Sequence, residues 1–137
     1  MVLQRIQSLF LLLAFAMMGV FSFTPLAVEP AAQAAKHYIY EAPVALVLTL
    51  LATVLPLITI FLYRNLRLQM KTTLLCMLLT AADIATAVLT VKNLWPDASF
   101  YWFGGILLPA AALLMMIAAY RAMRKDWKLL RSMDRLR

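Results

Sequence analysis

One apolar stretch with a carboxylate at its middle constrains this chain more than any other feature. Thr72 to Val91 is twenty residues long, enough as an α-helix to cross roughly 30 Å of hydrocarbon. Asp83 lies near its centre. An ionised side chain at that depth costs several kcal/mol, so it seldom faces lipid. The polar and small residues around it, Thr73, Cys76, Thr80, Asp83, Ala87 and Thr90, alternate three and four apart. That spacing places them on one helix face. A helix surrounded by lipid has no use for such a stripe, whereas a helix packed on other helices does. The expectation is an all-α membrane bundle with this helix turned inward.

Three further apolar runs complete the bundle. With 65% hydrophobic and 14% charged residues and a mean hydropathy of +0.86, the chain lies far from soluble composition. Its 137 residues accommodate one domain of four spans, about 6–23, 44–63, 72–91 and 101–120, and a tail over 121–137. The first run, preceded by Arg5, also has the form of a secretory signal peptide, with Ala32-Gln33-Ala34 as a cleavage site. Its length, and the lateness of that site after Pro25, Glu29 and Pro30, favour a retained helix. Residues 24–43 read as a loop, with Tyr38 and Tyr40 as headgroup-level anchors. The second span carries Thr49, Thr53 and Pro56 on one face, and the proline predicts a bend.

Basic residues set the orientation. Eleven of the thirteen lie before the first span, between spans two and three, or after span four. Only Lys36 and Lys92 lie in the other loops. By the positive-inside rule the crowded side is cytoplasmic, with both termini there. The net charge of +7 therefore answers to anionic lipid headgroups rather than to nucleic acid.

Two sets of residues are candidates for function. The first is an intramembrane polar site of Asp83, Thr80, Thr73 and Cys76, with Thr49 and Thr53 of the second span. As a carrier of protons or cations, Asp83 would make the chain a small transporter or channel. As a structural acid, it would be satisfied by Thr80, Thr86 or the threonines of the second span. The second set is a lipid or partner surface. It comprises Arg64, Arg67 and Lys71 of the turn before the third span, and Arg121, Arg124, Lys125, Lys128, Arg131 and Arg135 of the tail. On a helical projection Met123, Trp127, Leu130 and Met133 share an arc of about 120° opposite those basic residues. That pattern predicts a basic amphipathic helix lying on the inner headgroup surface or docking a protein.

Plainer readings cover the rest. Trp95, Tyr101 and Trp102 suit an interfacial belt, and Gly104-Gly105 suits close helix packing. Gln4 and Gln7 sit at the membrane boundary, where polar side chains need no special account. One cysteine and one histidine leave no basis for a disulfide framework, a haem or a zinc site. No nucleophile–base constellation, phosphate-binding loop or carboxylate pair is visible, so no cofactor and no enzymatic activity are expected.

The chain ends carry a resemblance. Val2-Leu3-Gln4-Arg5-Ile6-Gln7-Ser8, running on through Ala14, is similar to the opening of an uncharacterised membrane family of Bacteroidota, domain-of-unknown-function family four-two-nine-three. Arg121-Ala122-Met123-Arg124-Lys125-Asp126 and Leu130-Arg131-Ser132-Met133-Asp134-Arg135-Leu136-Arg137 resemble that family's closing signature. Val2-Leu3 stands where one residue is usual, and Trp127 where a second acid is common. The resemblance implies a retained first helix and draws attention to the charged tail rather than to Asp83. It carries no activity, cofactor or catalytic residue.

The reading as a whole is a four-helix inner-membrane scaffold or small subunit, with homo-oligomers and a membrane or cytoplasmic protein partner allowed. The alternative is an oligomeric transporter using Asp83. The charge pattern makes the topology testable. In a Cys76→Ala background, single cysteines near Lys36 or Lys92 should react with an impermeant thiol reagent in intact spheroplasts. Cysteines at 64–71 or in the tail should react only after lysis. Labelling of the tail from outside would overturn the orientation.

Overall fold

The helices begin and end where the local chemistry dictates. The computed structural model describes residues 2–28, 36–96, 98–100 and 106–136. Helix α1 (Val2–Phe23) stops where the Thr24 hydroxyl donates to the Phe21 carbonyl at 2.9 Å. Helix α2 (Pro43–Phe61) opens on a proline, which has no N–H to leave unpaired in the first turn. Helix α3 (Leu66–Leu94) is capped by the Asn65 side chain, which accepts from the Leu68 amide at 3.4 Å. Helix α4 (Leu108–Arg135) again has proline in its first turn.

Each helix then packs through a narrow stripe. In α1 the fully enclosed residues are Gln7, Leu11, Ala14, Met18 and Phe21. In α3 the buried ones are Gln69, Thr73, Cys76, Thr80, Asp83, Ala87 and Val91, and in α4 Pro109, Ala112, Met116, Ala119 and Met123. The alternation of three and four is the pattern of left-handed bundles. Each helix packs on its neighbour in sequence, and α4 closes the ring against α1.

The size distribution is inverted relative to a water-soluble core. The buried residues of α2 are Ala45, Thr49, Ala52, Thr53, Pro56 and Thr59, while Val44, Leu50, Leu51, Ile58 and Phe61 are exposed. Small residues inside let backbones approach, and large apolar ones outside meet lipid tails. Helices α1 (from Arg5), α2 and α3 are each long and apolar enough to cross a membrane. The chain is a multi-pass membrane protein with four packed helices.

Several boundaries differ from the sequence reading. Helix α2 stops at Phe61 rather than Tyr63. Helix α3 starts six residues before Thr72, so Arg67 and Lys71 belong to it and only Arg64 sits in the turn. Its 29 residues make a rod of about 43 Å, which reaches past the hydrocarbon. Helix α4 is preceded without a break by π-helical residues 106–107, and the opening of the fourth span, 101–105, lies outside the described residues. Tyr101, Trp102, Gly104 and Gly105 lie outside the described residues, as do Glu29, Pro30, Ala32-Gln33-Ala34 and Asp97.

The stretch read as a plain loop is partly ordered into a cap. Strands β1 (Pro25–Val28), β2 (Lys36–Tyr38) and β3 (Ser99–Phe100) form an antiparallel sheet in the order β2-β1-β3. A single turn of 3₁₀-helix, Ile39–Glu41, leads into α2. The His37 ring stacks on Trp95 at 4.4 Å, and its Nδ1 lies 3.1 Å from the Glu41 carboxylate. Leu26, Ala27 and Ile39 of this cap are buried. Strand pairing between distant loops, rather than headgroup contact alone, orders the segment.

The stripe makes a packing prediction. Ala112 is fully enclosed whereas Leu78 is 69% exposed. Ala112→Leu should cost about 1–3 kcal/mol by overpacking, read as a fall in thermal midpoint in detergent. Leu78→Ala, on the lipid side, should stay within about 0.5 kcal/mol of the parent. Equal effects at both positions would contradict the assigned faces.

Candidate functional site

A threonine hydroxyl inside a helix can bond its own backbone, and most of the inward stripe does so. Thr73 donates to the Gln69 carbonyl at 2.8 Å, and Thr80 to the Cys76 carbonyl at 2.8 Å. Their hydroxyls also lie 3.6 Å from the sulfurs of Met123 and Met116 on α4. Thr53 bonds the Thr49 carbonyl at 2.7 Å, and Thr86 the backbone of Asp83 at 2.9 Å. These residues thus satisfy themselves and leave Asp83 without their help.

Asp83 instead reaches across to α2. It is fully enclosed, and its Oδ1 lies 2.7 Å from the Thr49 hydroxyl, the donor. That hydroxyl is also 2.9 Å from the Ala45 carbonyl. One hydroxyl carries one proton. That proton is therefore shared between the Asp83 carboxyl oxygen and the Ala45 carbonyl, both of which accept. The other carboxyl oxygen, Oδ2, has no hydrogen-bond partner. Of the partners foreseen for Asp83, Thr49 is the one that bonds its side chain; Thr53 and Thr80 turn to backbone, and Thr86 reaches only the Asp83 carbonyl.

Nearer the basic end a second set of polar groups crosses between helices. Gln69 donates to the Thr59 carbonyl at 3.3 Å, and the Thr59 hydroxyl lies 3.6 Å from the Cys76 sulfur. Thr59 and Gln69 escaped the sequence reading, Gln69 because it was placed in the turn. Gln7 corrects it outright. It does need an account: it is fully enclosed, and neither amide atom has a hydrogen-bond partner. The signal was present, since Gln7 lies on the same three-and-four spacing as Leu11, Ala14, Met18 and Phe21.

The basic residues come together in a way that spacing alone did not show. The Arg67 guanidinium lies over the Trp127 ring, 4.6 Å from its centroid, joining the start of α3 to the tail. The tail itself departs from expectation. Helix α4 runs unbroken from Leu108 to Arg135, so the basic stretch continues the bundle helix instead of turning onto the headgroup plane. A 13-residue helix from Leu108 to Tyr120 is not ended there because Arg121 to Arg135 contains no glycine or proline. Met123 is buried and Trp127 half-buried, while Leu129, Leu130 and Met133 are exposed.

A family model described as Domain of unknown function (DUF4293) matches residues 3–136. The chain belongs to this family. No curated protein and no solved structure matches it. The DUF4293 match takes in α1 and the tail as well as the polar stripe. Among the described residues no group of three or more histidine, cysteine, aspartate or glutamate side chains is placed to hold a metal ion.

The interhelical bond can be weighed directly. A double-mutant cycle of Thr49→Val and Asp83→Ala should give a coupling of about 0.6–1.7 kcal/mol, the range of interhelical hydrogen bonds in membranes. Unfolding in mixed micelles supplies the measurement. A coupling indistinguishable from zero would mean that the two side chains do not act as a pair.

Proposed function

We propose that this chain is a non-enzymatic scaffold or small subunit of the bacterial inner membrane, with both ends in the cytoplasm. It presents Arg64, Arg67 and Lys71 together with the basic tail as one surface to anionic headgroups and a protein partner. The observation that carries the reading is the Arg67–Trp127 contact. It ties two segments about sixty residues apart into one face, and a cation–π pair of this kind contributes about 0.5–1 kcal/mol when exposed. The orientation rests on the positive-inside rule applied to the eleven basic residues of that end. Helix α1 is retained in this reading, since it supplies Leu11, Ala14, Met18 and Phe21 to the core.

A transporter is the second reading, and one observation favours it. The unpartnered Oδ2 of Asp83 is a vacant acceptor in the middle of the bundle, as a proton or cation relay requires. Against that, the Thr49 bond already employs the other oxygen.

Asp83→Asn separates the two, because the amide oxygen still accepts from Thr49 but the side chain never ionises. In the scaffold reading the variant stays within about 1 kcal/mol of the parent and retains whatever protein co-purifies with the parent in mild detergent. Reversing Arg64, Arg67, Arg124 and Lys128 to glutamate should release that protein. A pH-driven flux in parent proteoliposomes that vanishes in Asp83→Asn would overturn the scaffold and establish the transporter.

A further inference from the structure

On α4 the change from apolar to basic side chains falls beside a groove. Leu114, Ile117, Arg121 and Lys125 wall it, and Ala118 and Ala122 make its floor; its volume is about 470 Å³. The two alanines sit one turn apart, so their short side chains leave a notch between longer neighbours. A second, polar cleft of about 270 Å³ lies among Arg121, Arg124, Lys125 and Lys128. Arg121 and Lys125 line both, so the apolar notch and the basic cleft are continuous.

The charges in that cleft are uncompensated. All four side chains are exposed, and among the described residues none of them has a carboxylate partner. Two arginines and two lysines at one spot repel one another unless an anion sits between them. Leu114, below them, is 63% exposed, which suits an acyl chain rather than water.

We propose that this composite groove binds one anionic phospholipid. The phosphate would sit among Arg121, Arg124, Lys125 and Lys128, and one acyl chain would lie in the notch over Ala118 and Ala122. Arginine offers planar paired donors to phosphate oxygens, and lysine a point charge. Basic pockets on the cytoplasmic side of membrane helices hold anionic headgroups on the same principle. A second copy of the chain is the rival occupant, since small residues one turn apart also let helices approach. In a parallel pair that arrangement would bring Arg121 and Lys125 of each copy together, so charge selects the anion. The inference rests on the proposed placement of this end at an anionic leaflet, and it goes further by naming a site with defined walls.

The test uses the full chain in detergent, with lipid retention read by native mass spectrometry. Dioleoyl phosphatidylglycerol should be retained in preference to dioleoyl phosphatidylcholine, and soluble glycerol phosphate should not displace it. Arg121→Ala with Lys125→Ala should lose about tenfold or more in retention. Ala118→Phe, which fills the notch and leaves every charge in place, should also lose it. Lys36→Ala with Lys92→Ala removes the same charge at the other end of the bundle, outside the proposed lipid surface, and should retain the lipid. Equal loss in the two double variants would show a response to net charge alone and overturn the site. Equal retention of phosphatidylcholine, or displacement by glycerol phosphate, would also overturn it. So would undiminished binding in Ala118→Phe. Thiol labelling of the tail from outside would instead remove the orientation, independently of these lipid measurements.

Discussion

A carboxyl group held in a membrane interior must be turned away from lipid, and the bundle is arranged around that requirement. The bond between Asp83 and Thr49 at 2.7 Å is one expression of it. Its own contribution is small, because interhelical hydrogen bonds in membranes average about 0.6 kcal/mol. The cost of turning α3 so that Asp83 met lipid is several kcal/mol. The comparison decides what the residue does for the fold: exclusion from lipid sets the rotation of α3, while the short connection over 62–65 already makes α2 its neighbour. Once that face is inward, Thr73, Cys76 and Thr80 follow by helical periodicity.

Periodicity also explains why the interior is lined with alanine and threonine while leucine and phenylalanine face outward. Lipid tails are as apolar as leucine, so burial of large side chains gives these helices little reason to associate. Close approach of backbones over Ala45, Ala52, Ala87, Ala112 and Ala119 supplies dispersion contacts instead. Threonines fit there because each bonds its own helix, leaving no donor stranded. Asp83 and Gln7 cannot do this from their positions. Among the described residues they are the side chains with buried polar atoms left unpaired, and such atoms mark where a fold carries a cost that packing alone does not explain.

Much of this was legible in the chain. The face of α3 could be read from Thr73 through Ala87 because one carboxylate and a 3.5-residue repeat leave a single solution. The face of α2 followed from the four-and-three spacing of Thr49, Thr53 and Pro56 alone. What escaped depended on contacts between distant segments. The sheet of β1, β2 and β3 joins residues about seventy apart, and Pro25–Val28 and Ser99–Phe100 are too short to announce themselves by alternation. Gln7 was misplaced because its residue type outweighed its position on the stripe. The partners of Asp83 were left open because threonine has two choices, its own backbone or a neighbouring helix, and spacing does not decide between them. The Arg67–Trp127 contact needed α4 to continue past Tyr120, whereas amphipathicity by itself suited a helix lying flat.

The central claim is that α3 turns one polar face into the bundle and keeps it from lipid. Spin labels placed singly at each position from 72 to 91, with oxygen and a polar nickel chelate as relaxation agents, measure that face directly in reconstituted membranes. Oxygen accessibility should oscillate with the helical period, with minima at 73, 76, 80, 83 and 87 and maxima at 74, 75, 78 and 89. A maximum at 83, or accessibility without periodicity, would contradict the account.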